Sequence, residues 1–164
     1  MSPRALTERE LFRHVDLHDT QLVARLLCGG ANPNARDRQG RTPLHHAALS
    51  GDEDMVRVLL DSGADPAAQD ANGWSGMHFA ARGQKPAVVI QLIGAGAALD
   101  AVDAHGNTAL SEATFGCDGL HGETINVLLG AGANPNILNK YGVSPLELAR
   151  SIANYDVIQF YPKG

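Results

Sequence analysis

The sequence predicts an all-α solenoid, with helix–turn–helix units carrying β-hairpin or loop fingers, about five of them including the two caps. Three observations lead there. Gly-Ala pairs at Gly30-Ala31, Gly63-Ala64, Gly96-Ala97 and Gly132-Ala133 recur at intervals of 33, 33 and 36 residues, and a period of this size is the signature of stacked supersecondary units. A second series, Gly40, Gly73, Gly106 and Gly142, keeps the same intervals and the same three-residue insertion. Hydrophobic residues make up 44 % of the 164-residue chain but aromatic residues only 5 %. That composition suits a core of Ala, Leu, Val and Ile punctuated by turns.

Each element follows from local chemistry. Thr7 and Glu10 form a capping box ahead of Leu11, Phe12 and Val15, and Leu22, Val23, Leu26 and Leu27 give the apolar face of a second helix in a first unit at 6–36. In the unit 37–69, Thr42 caps a helix that opens on Pro43, where a missing N–H costs nothing, and Leu44, Ala47 and Ala48 make its narrow apolar face. Asp52, Glu53 and Asp54 suit the dipole at the start of the partner helix, Val56, Leu59 and Leu60 are its buried stripe, and Gly63 supplies the left-handed turn that ends it. The units 70–102 and 103–138 repeat the stripe with Val89, Leu92 and Ile93, and with Ile125, Leu128 and Leu129. Ser75, Ser111 and Ser144 fall at helix starts and read as caps. In the closing unit, 139–164, Ser144-Pro145-Leu146-Glu147 repeats the capping device, Leu148, Ala149, Ile152 and Ala153 continue the helix, and Ile158, Phe160 and Tyr161 fold over the last open face. The four segments 6–36, 37–69, 70–102 and 103–138 with this cap make one domain.

The segment Asp37 to Gly51, D-R-Q-G-R-T-P-L-H-H-A-A-L-S-G, followed by M-V-R-V-L-L-D-S-G-A-D-P at Met55 to Pro66, resembles the ankyrin repeat. The likeness extends over nearly the whole chain. It departs at Ser75-Gly76-Met77-His78 and again at Thr108-Ala109-Leu110-Ser111, where Pro and, in the second case, His are replaced, so these units are expected to be locally softer. The resemblance implies that His45 and His78 hydrogen-bond between helix and turn. It also implies that a protein partner meets the finger tips and the open side of each first helix. Carried over position by position, those residues are Arg36, Arg38 and Arg41; Gln69, Asn72, Trp74 and Arg82; His105, Asn107 and Phe115; and Lys140 and Tyr141. Leu120 joins them from the insertion at 115–122, which lengthens a loop and is expected to expose Cys117. Trp74 and Tyr141, with the arginines, are the residue types that most often anchor interfaces.

Charge and motifs exclude several functions. Formal charge is −5 and the isoelectric point about 5.7, which argues against a dominant nucleic-acid footprint. The charge is uneven: residues 1–50 hold 7 basic and 5 acidic side chains, net +2, and the remainder 6 and 13, net −7. No apolar run reaches the length of a membrane span and no signal peptide is expected. Cys28 and Cys117 stand far apart, in keeping with a cytoplasmic setting. His45 and His78, the helix-start serines and the glycines are absorbed by the repeat, and no metal site, cofactor or catalytic constellation is expected; an enzyme would have to use Cys117 or His121. The closing sequence, Gly142-Val143-Ser144-Pro145-Leu146-Glu147-Leu148-Ala149, is similar to the cap of bacterial ankyrin proteins that act as immunity proteins against secreted toxins. That likeness implies a monomer that forms a 1:1 complex with a toxin and covers its active site. The alternative is a scaffold, an assembly chaperone or a host-directed effector.

Overall fold

The computed structural model describes residues 3–152 and 156–162, with side chains described from Thr7 onward. Among them nine α-helices follow one another: α1 (Pro3–Asp16), α2 (Thr20–Cys28), α3 (Pro43–Ser50), α4 (Glu53–Asp61), α5 (Gly76–Arg82), α6 (Pro86–Gly94), α7 (Ala109–Gly116), α8 (Glu123–Gly130) and α9 (Pro145–Ser151), with a 3-10 turn at Val157–Phe160. The odd-numbered helices pack in sequence as an inner row and α2, α4, α6 and α8 as an outer row, each helix touching its neighbours in the row and its partner across the turn. Leu11, Leu44, Met77 and Leu110 of the inner row meet Val23, Leu59, Leu92, Ile125 and Leu128 of the outer row in one continuous buried core. Each such side chain contributes about 2 kcal/mol on leaving water. Ala47, Ala48, Ala80, Ala81 and Ala113 let the inner helices approach closely.

Between helix pairs the chain makes a finger. Asp37, Asp70, Asp103 and Asn139 each donate a backbone N–H to the carbonyl four residues on, at 2.8–3.0 Å, with isolated antiparallel bridges at Gln69–Ser75 and Val102–Thr108. Neighbouring fingers are tied in register: the N–H groups of Ala71, Ala104 and Lys140 donate to the carbonyls of Gln39, Asn72 and His105 at 2.9–3.0 Å. This explains Gly40, Gly73 and Gly106 of the second glycine series. Gly73 sits at φ +78°, and a Cβ there would lie 2.9 Å from the Ala104 nitrogen, inside the space the finger-to-finger bond needs.

Helix ends follow the expected chemistry with three corrections. Thr42, Ser75, Thr108 and Ser144 cap α3, α5, α7 and α9. Ser111 is not a cap; it lies at the third helical position of α7, where the sister units carry histidine. Thr7 and Glu10 lie inside α1, which begins at Pro3, because nothing between Pro3 and Thr7 stops a helix and proline suits its first position. In the last unit α9 stops at Ser151, Ile152 turning to extended backbone, so the expected continuation fails there; Ala153 lies outside the described residues.

Candidate protein-binding face

His45 and His78 knit the fingers to the inner helices. The Thr42 N–H donates to His45 Nδ1 at 2.9 Å, so that ring carries its proton on Nε2 and donates it to the Trp74 carbonyl at 3.0 Å. The Ser75 N–H donates likewise to His78 Nδ1 at 3.2 Å, and His78 Nε2 donates to the Asn107 carbonyl at 3.1 Å. Both rings are buried, and burial holds both below the usual imidazole range. Ser111 is too short to repeat this bridge and closes on Thr108 instead, at 3.3–3.4 Å.

A second ladder runs through the finger side chains. In each Asp finger one carboxylate oxygen accepts two backbone N–H groups of its own turn: Gln39 and Arg41 on Asp37, Asn72 and Trp74 on Asp70, His105 and Asn107 on Asp103. The second oxygen serves a neighbour. Asp37 Oδ2 pairs with His46 at 3.0 Å, Asp103 Oδ2 accepts the Trp74 indole N–H at 3.1 Å, and Asp70 Oδ2 faces Arg41 Nε at 3.6 Å. In the last step Asn139 Nδ2 donates to Asn107 Oδ1 at 2.9 Å.

Together the fingers and inner helices line a groove of about 540 Å³ whose residues include Arg41, Asn72, Trp74, Phe79, Arg82 and His105. It adjoins a hollow of about 270 Å³ lined by Ser111, Phe115, Tyr141, Val143 and Leu148, with Asn107 and Glu112 shared between them. Phe79 is the floor. Trp74 packs on it at 5.0 Å, the His45 ring meets it edge-on at 5.6 Å, and the Arg41 guanidinium lies 4.9 Å above it. Arg82 stacks 4.1 Å over Phe115 and donates to Glu112 at 3.0 Å. Burial pushes the Glu112 carboxyl up, against the pull of Arg82. Phe79 and Glu112 are the face residues that the sequence reading passed over. Both follow the His78 or Ser111 position directly, and that register was the signal available.

Apart from Leu120, the expected contact residues divide into three groups. Arg41, Asn72, Trp74, Arg82, His105, Asn107, Phe115 and Tyr141 meet in the groove and hollow. Tyr141 is exposed and stacks on His105, whereas Trp74 is half-buried and engaged by Asp103, which makes it part of the wall rather than a free anchor. Arg36 and Gln69 tie fingers together: Arg36 donates to the Gly40 and Gln69 carbonyls at 2.7–2.8 Å, and Gln69 to those of Gly73 and Val102 at 2.8–3.0 Å. Arg38 and Lys140 stand exposed on the first and last fingers.

Leu120 is elsewhere, at the tip of the α7–α8 loop and 80 % exposed. Asp118 shapes that loop by accepting from the N–H groups of Leu120 and His121, and its bond to the His121 ring draws the carboxyl down to about 2. The expected exposure of Cys117 is corrected: the thiol is buried, accepts from the Gly119 N–H and points to the His121 carbonyl, not its ring. The tail accounts for this. Gln159 donates to the Gly119 carbonyl at 2.9 Å, the Phe160 ring covers Gly122, and the Tyr161 hydroxyl bonds to Thr114, with burial pushing that phenol up to about 12. Among the described residues no group of three or more His, Cys, Asp or Glu side chains is placed to hold a metal ion, and no helix is long and apolar enough to cross a membrane.

Stacked helix pairs, with fingers tied in register above a lined groove, define a repeat-built binding module. The family model for ankyrin repeats in many copies matches residues 11–60 and again 44–93, and the model for the single ankyrin repeat matches residues 105–140. The chain belongs to the ankyrin-repeat family, whose members are generally non-catalytic protein-binding modules. No curated protein matches it.

Proposed function

We propose that the chain is an immunity protein, which neutralises a toxin enzyme by laying the finger–helix face over the toxin's active site. The observation that carries the binding role is the run of large side chains left open on that face, Arg82 stacked on Phe115 and Tyr141 stacked on His105, next to a preformed groove. Aromatic and arginine side chains ordered before contact lose little freedom on binding, and these residue types dominate interface energy. The likeness of the closing sequence from Gly142 to Ala149 to the caps of bacterial ankyrin immunity proteins directs the proposal to a toxin. Occlusion asks no chemistry of the chain, in keeping with its family.

The test is affinity capture from the native cell with the wild-type chain and with a Phe115→Ala/Tyr141→Ala variant as baits, followed by co-expression with the captured protein. Both substituted side chains are exposed, so the variant retains the core. The expected result is one toxin held by the wild type and lost by the variant, whose lethality the wild-type chain suppresses. Capture of non-toxic partners, or lethality that the chain leaves unchanged, would move the reading to a scaffold or chaperone.

A further inference from the structure

The groove is lined by both signs of charge, but the two signs are not equally available. The Asp70 side chain is 1 % exposed and that of Glu112 8 %, whereas their partners Arg41 and Arg82 are 33 % and 42 % exposed. Asp103 is buried and takes three donors. Asp70 and Asp103 face the fingers' backbone, Glu112 lies beneath Arg82, and the guanidinium groups face outward. A molecule entering the groove therefore touches positive charge, although the chain as a whole carries −5.

The same sign continues along the first finger. A hollow of about 450 Å³ beside it is lined by Glu8, Arg9, Phe12, Arg36, Asp37 and Arg38. Asp37 is again turned inward, onto two N–H groups and His46. Arg38 is exposed and makes no described hydrogen bond or ion pair.

We infer that the partner presents an acidic protein segment to this face, with Asp or Glu side chains meeting Arg38, Arg41 and Arg82. The inference rests on the protein-binding reading above and names the chemistry of the partner. Arg41 and Arg82 are held by a ring beneath and a carboxylate along one edge, at 3.6 Å and 3.0 Å. That leaves the rest of each planar fork for an incoming carboxylate, in the geometry that favours paired hydrogen bonds. A nucleic acid fits less well, because an extended polyanion crossing the array runs over residues 51–164, which carry a net −7. A peptide with carboxylates only opposite the arginines does not meet that repulsion.

Trp74 is the only tryptophan and lines the groove with both arginines, so its emission reads occupancy directly. The experiment titrates the full chain with hexaglutamate, hexalysine and a six-phosphate oligothymidylate. Hexaglutamate is expected to shift Trp74 emission saturably, with binding weakened about tenfold by a rise from low to moderate salt, and hexalysine to leave it unchanged. Arg38→Gln and the paired variant Arg82→Gln/Glu112→Gln are each expected to weaken hexaglutamate binding, the latter by about tenfold. The paired variant removes both charges and leaves none buried alone, and Arg38→Gln breaks no bond among the described residues, so a loss through either reports on binding while the melting temperature stays near wild type. A flat hexaglutamate titration, equal binding by both variants, tighter binding of hexalysine, or oligothymidylate binding as tightly as hexaglutamate would each overturn the inference. A captured partner with a basic footprint overturns the acidic segment and spares the protein-binding reading, whereas a failed capture leaves the titration, which reads the groove itself, to stand.

Discussion

A single imidazole in each of two units does three tasks: it closes the capping box of its own helix, fixes its tautomer by doing so, and delivers its one proton to the next finger. Neutrality is part of the design, because a protonated ring has no lone pair left for the Thr42 or Ser75 N–H. Burial depresses both groups in the folded state, so protons bind the unfolded chain more readily than the native one. The contribution of His45 and His78 is therefore complete above the ordinary imidazole value of about 6.5 and is lost as pH falls from there through the depressed native values. Each ring contributes a slope of at most about 1.4 kcal/mol per pH unit in that window. His78→Ser places in the second full unit the residue that the third already carries. It is expected to cost about 2 kcal/mol at neutral pH, from the lost bridge to the Asn107 carbonyl and the emptied volume, and to remove one proton's worth of that slope. Urea unfolding at pH 7 and pH 5.5 measures both. A wild-type and a variant curve with the same pH dependence would contradict the tautomer argument.

Among the elements, the inner helices α3, α5, α7 and α9 differ at their first position, which is Pro43, Gly76, Ala109 and Pro145 in turn. Gly76 has negative φ, and a Cβ added there would meet Ala48, Leu92 and Leu44 at 3.7–3.8 Å, ordinary contact distances. Gly76→Ala is therefore expected to stabilise the chain by about 0.5–1 kcal/mol, through a less mobile unfolded state and added contact. A raised midpoint in urea at unchanged slope is the result that bears this out, and a lowered midpoint would contradict the packing described for α5. Helices, caps and turns of this kind were legible in the sequence because each is written in a local motif that recurs with the period. What was not legible depends on a neighbour far along the chain. Arg36 and Gln69 read as partner-contact residues, yet each also donates to a carbonyl 33 residues on. Cys117 read as exposed because its cover comes from Gln159, Phe160 and Tyr161 in the tail. Phe79 and Glu112 escaped notice because the repeat leaves their position open, and only packing reveals that one becomes a floor and the other a buried anion.

At the scale of the whole molecule, an array of this kind is held unit to unit, and its weakest junction sets where it opens. Besides the Arg36–Gln69 and Gln69–Val102 bonds at the first two, three ties cross the junctions between fingers. The backbone bond is present at all three, and the side-chain rung passes from Arg41–Asp70 through Trp74–Asp103 to Asn107–Asn139. The histidine bridge crosses only the first two, since Ser111 offers nothing to the Val143 carbonyl. The last junction relies instead on the packing of α9 on α7 and on the tail bond of Tyr161 to Thr114. Native-state hydrogen exchange is expected to show α9 and the finger at 139–143 opening at lower free energy than α3 to α6. Fraying alone lowers protection at both ends of a linear array, so the contrast that matters lies within one variant. Ser111→His, entering the hollow of about 270 Å³ that Ser111 lines, is expected to raise α9 protection by about 1 kcal/mol and to leave α2 unchanged. A Ser111→His chain whose α9 exchanges as before would mean that the junction is held by helix packing and that the histidine is dispensable there.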